Sequence, residues 1–70
     1  MSNSNNHLIG NVVEFDHHRG LGTVVSADIR YVFHCAEITD ETRDIAIGAP
    51  ISFVPVERFG LLEASQVVKL

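Results

Sequence analysis

The sequence predicts a small all-β domain whose five strands close into a barrel. Short apolar runs separated by turn residues fill most of the chain. One run, RYVFHC, alternates cleanly, with Tyr31 and Phe33 on one face and Val32 and His34 on the other. A polar connection after the third run divides the strands three and two, the layout of a five-stranded antiparallel OB-type Greek-key barrel. Periodicity alone leaves an SH3-like barrel as a competitor.

Residues 1–7, MSNSNNH, are polar and read as a disordered tail, leaving 8–70 as a single domain. The first strand is LIGNVVEFD, Leu8 to Asp16, with Val12 inward. The second, LGTVVSA, runs into a turn at Asp28, and RYVFHC is the third. Residues 36–48, AEITDETRDIAIG, form a connection too charged for a core helix, with room for a short helical turn and Ile38, Ile45 and Ile47 as apolar anchors. The fourth run, PISFVPV, places Ile51, Phe53 and Pro55 on one side. Pro55 has no N–H to donate, so it belongs at a sheet edge or a bulge. ERFG makes the next turn. LLEASQVVKL is the fifth strand, kinked, with Leu62, Ala64 and Val67 inward.

Composition narrows the function. At 70 residues, 46% hydrophobic and 20% charged, the chain suits one thinly stabilised globular domain. Its formal charge of −4, with only Lys69 and four arginines basic, opposes general attraction to phosphate. Protonating all four histidines would bring that charge to zero. No apolar run reaches membrane-spanning length, and the first residues lack the apolar stretch of a secretory signal. Cys35 is the sole cysteine, so no intrachain disulfide can form and a cytoplasmic, reducing setting is expected.

Five segments, in order and near the right spacing, resemble the cold-shock domain family: GNVVEFD, RGLGTV, YVFHCAEI, the glycine at 48 before APISFVPV, and GLLEASQV. The resemblance spans about Gly10 to Val67. It implies the five-stranded barrel and binding of single-stranded RNA or DNA by bases stacked on outward rings of the first three strands. Carried over position by position, it also implies a dismantled platform. The family's outward Trp falls on Glu14, two glycine-flanked Phe positions fall on Leu21 and Thr23, and two third-strand rings fall on Val32 and Cys35. Phe15 matches the other first-strand aromatic and is expected to be largely buried, and His34 keeps a ring that can meet a base. Losing four rings at ~1 kcal/mol each weakens binding roughly a thousandfold.

Groups that could compensate border the same face. They are His17, His18, Arg19 and Arg30, with Arg58 and Phe59 on the loop between the last two strands. The expected nucleic-acid site is therefore Phe15, His17, His18, Arg19, Leu21, Thr23, Arg30, Val32, His34, Arg58 and Phe59. A competing expectation is a protein-interaction surface or homodimer contact, with Leu21, Val32 and Cys35 as an apolar patch.

Other chemistries find less support. His17, His18, His34 and Cys35 lack metal-ligand spacing, so no metal or other cofactor is expected. As strand neighbours, His34 and Cys35 should point to opposite faces, which disfavours a Cys–His dyad. TDETRD, Thr39 to Asp44, reads as a solvated acidic loop. Gly20 supports a turn, and Gly22 relieves crowding at a curved strand. No carboxylate pair or nucleophile–base set points to an enzyme.

Overall fold

The computed structural model describes residues 7–40 and 42–70. The proposed tail lies outside these residues, save for the exposed His7. Five strands, β1 (Leu8–Asp16), β2 (Leu21–Ser26), β3 (Ile29–His34), β4 (Pro50–Arg58) and β5 (Leu61–Lys69), close a barrel in the order β1-β2-β3-β5-β4. Neighbouring strands run antiparallel except at the closing seam, where β3 and β5 meet in parallel at Val32 and Glu63. This is the OB-type cold-shock barrel rather than an SH3-like one.

Alternation decides which side chains fill it. Val12, Val24, Tyr31, Phe33, Ile51, Phe53, Ala64 and Val67 are buried together, with Ile38 and Ile45 from the β3–β4 connection closing the core. Tyr31 and Phe53 meet with ring centroids 5.0 Å apart, and Phe15, half-buried, stacks on Phe33 at 6.1 Å. Two-residue turns at Ala27–Asp28 and Phe59–Gly60, all with positive φ, have the backbone sense that matches strand twist.

Two irregularities set the barrel's curvature. The β1–β2 register slips at Val13, so Val12 opposes Val24 while Glu14 opposes Thr23. The β4–β5 register slips between Ser52 and Val54, opposite Gln66, whose φ is 50°. That bulge is the kink expected in β5, and it lets Ala64 and Val67, three residues apart, both face inward.

The structure corrects the reading in four places. Leu62 is 40% exposed, because the β4–β5 hairpin extends past the part of β4 that pairs with β1. Ile47 is 60% exposed and does not anchor the connection as Ile38 and Ile45 do. The turn expected over ERFG is only Phe59–Gly60, so Arg58 ends β4. Lastly, β3 stops at His34 and Cys35 begins a 3-10 turn, Cys35–Glu37, so strand alternation does not apply there. The Cys35 Sγ lies 3.9 Å from His34 Nδ1, on the same side. That nitrogen already accepts the Ala36 N–H at 3.1 Å, capping the turn, so it is not free to take a thiol proton.

Candidate nucleic-acid interface

The outer face of β1–β3 is organised in cross-strand rows. Glu14, Thr23, Val32 and Glu63 form one row across β1, β2, β3 and β5, and Asp16, Leu21 and His34 form the next. Between them lies an open cleft of about 590 Å³ lined by Val13, Phe15, Leu21, Val32 and Ile47, with Glu14, Asp16 and Arg19 at its polar edge. A smaller depression of about 210 Å³, bordered by Leu21, Val32, His34, Arg58 and Glu63, leads from this face toward β4 and β5.

Gly22 lies in the floor of the cleft, and Gly20 lies beside it in the β1–β2 turn. Gly22 opposes Phe33, whose ring occupies the space a side chain would need. Gly20 has φ 68°, and a Cβ there would come within 2.7 Å of the Cys35 sulfur. Both glycines are thus required by packing.

Each expected site residue has a definite place. Leu21 and Val32 present apolar surface, with Val32 48% exposed. Phe15 lines the cleft and meets the His17 ring edge-on at 4.9 Å. His18 is exposed on the β1–β2 turn, where Asp16 Oδ1 accepts the backbone N–H groups of His18 and Arg19. Thr23 faces outward yet is only 9% exposed, its hydroxyl donating to Glu14 Oε1 at 3.2 Å. Phe59 is fully exposed at the tip of the β4–β5 turn, away from the rows of β1–β3.

The charged residues are paired. Arg19 lies 3.9 Å from Asp16, Arg30 3.2 Å from Glu14, Arg58 3.5 Å from Glu63, and His17 3.4 Å from Asp44. Behind the face, Glu37 accepts from the Gln66 N–H and the Ser65 hydroxyl, which hold its carboxyl below the usual glutamate value, aided by the charge on Arg58. Among the described residues, no three His, Cys, Asp or Glu side chains gather as a metal site. No helix among them is long and apolar enough to cross a membrane.

Sequence reasoning missed Val13 and Ile47 as cleft walls and Glu63 and Asp44 as counter-charges. Val13 is turned to the face by the bulge, and Ile47 stands in a loop with no period. The Arg30–Glu14 pair depends on strand register and the His17–Asp44 pair on the path of the β3–β4 connection, so the basic residues were visible from the sequence but these partners were not.

A closed five-stranded barrel with this topology is an OB-type fold, the fold of cold-shock domains. A solved structure of Drosophila Unr CSD456 matches it with a TM-score of 0.79 over 93% of this chain, at 22% sequence identity. This chain corresponds to 27% of the length of that one. No protein-family model matches the chain, and no curated protein matches it in sequence.

Proposed function

We propose that this domain is a non-catalytic module that binds single-stranded nucleic acid weakly, on the outer face of β1–β3. The cleft is the observation that supports this reading. It is open, floored by Phe15, Leu21 and Val32, and edged by Arg19, with a depression leading on to Arg58. Bases lie against the apolar floor while phosphates meet the arginines. Exposed ion pairs contribute only about 0–1 kcal/mol, so phosphate displaces Asp16 from Arg19, or Glu63 from Arg58, at small cost.

His17, His18 and His34 border the bound strand, and Phe59 offers a ring at the far rim. Thr23 and Arg30 act through Glu14, which engages both. The folding unit is residues 8–70, and the lone free Cys35 suits a cytoplasmic setting. With aliphatic side chains where stacking rings would stand, micromolar or weaker affinity is expected.

Titrating short labelled DNA and RNA oligonucleotides at low salt tests the proposal. Saturable binding that weakens as salt rises is expected. No binding at about 100 μM protein overturns it, because even non-specific binders usually reach that range.

A second reading is favoured by the pairing of every arginine on the face and by the exposed Leu21, Val32 and Ile47. Such a surface suits a protein partner or a second copy of the chain. It predicts binding with little salt dependence and, for self-association, a concentration-dependent mass in light scattering.

A further inference from the structure

We propose that Glu14 makes this face selective for guanine, the base that presents two adjacent N–H donors, instead of indifferent to base identity. The inference rests on the nucleic-acid reading of the face and names its preferred ligand.

The carboxylate is held by three strands. Glu14 follows the β1 bulge, and its Oε1 accepts both the Thr23 hydroxyl of β2 and an Arg30 N–H of β3, each at 3.2 Å. Its Oε2 accepts no hydrogen bond from any described residue, and the side chain borders the cleft beside Phe15 and Val32. An acceptor drawn toward β2 and β3 therefore stands at the lip of an open, partly apolar cleft.

Single-stranded bases expose their Watson–Crick edges to such groups. Guanine offers N1–H and the 2-amino group side by side, and both point at an acceptor. Adenine and cytosine place a ring-nitrogen acceptor next to the amino donor. Thymine and uracil set one N–H between two carbonyl oxygens. A carboxylate, which only accepts, attracts the first pattern and repels the acceptors in the others. An arginine from a protein also presents paired donors. Arg30 already holds the cationic place beside Glu14, however, so a neutral donor edge gains more from the remaining oxygen than a second cation does.

Fluorescence anisotropy tests this with a short labelled oligothymidylate carrying guanine, hypoxanthine, adenine or cytosine at its centre. The guanine oligomer is expected to bind about tenfold more tightly than the adenine and cytosine ones, the range for donors converging on one charged acceptor oxygen, Oε2. Hypoxanthine keeps N1–H and lacks the amino group, so it should lose most of that advantage. Glu14→Gln, with its fold verified by circular dichroism, should bring all four oligomers within about twofold of one another. Equal binding of all four to the unaltered protein overturns the selectivity and leaves the nucleic-acid face standing. Failure of every oligomer to bind overturns both. An arginine-containing peptide that binds where no oligonucleotide does assigns the carboxylate to a protein partner and likewise overturns the proposal.

Discussion

Phe33 and Gly22 are cross-strand partners, and the phenyl ring of the first lies where the second would carry a side chain. The contact joins the floor of the cleft to the core, since the same ring stacks on Phe15. Gly22→Ala must push Phe33 off its position. Overpacking of this kind costs about 1–3 kcal/mol. Urea denaturation should show a lower midpoint, and an unchanged midpoint would mean that Phe33 moves aside freely.

The rings missing from the face can be restored. Val32→Phe and Leu21→Phe place aromatic surface at half-exposed positions bordering the cleft. Base stacking contributes about 1–3 kcal/mol per base. Each substitution is therefore expected to tighten oligonucleotide binding by about fivefold or more, read by anisotropy. If neither helps, the strand does not run over β2 and β3.

Much of the barrel was legible because burial follows period two. Val12, Tyr31 and Phe33 are inward as their alternation requires, and the kink that carries β5 from Ala64 to Val67 could be inferred from their spacing. Leu62 broke the rule because periodicity does not reveal where a hairpin outruns its neighbours. On the face, residue types could be read but their partners could not. Arg30 and Glu14 lie on β3 and β1, and only the register across β2 brings them to 3.2 Å.

Phe59 trades stability for exposure. Its φ of 52° is a left-handed conformation that suits Asn or Gly, and its ring packs on nothing that shields it. Phe59→Asn should stabilise the domain by about 0.5–1 kcal/mol, or roughly 2–8 °C in Tm for a chain of this size. If the ring meets a base, the same variant binds oligonucleotides more weakly. A variant that melts no higher would show that the turn tolerates phenylalanine without strain.

Acid should loosen the β3–β4 connection. Lys69 and Thr42 hold the Asp40 carboxyl at about 2, below its ordinary 3.8, while Gln66 and Ser65 lower that of Glu37 from 4.5. Both carboxyls are depressed in the folded state, so their stabilisation is present above these ordinary values. For Asp40 it is lost as pH falls from about 3.8 to about 2, and for Glu37 as pH falls below about 4.5. Thermal melts of the Glu37→Gln, Asp40→Asn double variant should show a lower Tm at neutral pH and a shallower decline in acid. Parallel curves for the two proteins would rule these groups out.

Beyond Phe53, no described strand pairs with the side of β4 that faces away from β5. Counting alternation back from the turn at Phe59–Gly60 puts the Pro55 nitrogen on the side of β4 that faces away from β5. The proline withholds a donor from that side of β4, where a backbone N–H could otherwise pair with another chain. Pro55→Thr would supply it, turning a blunt margin into a seed for chain-to-chain aggregation.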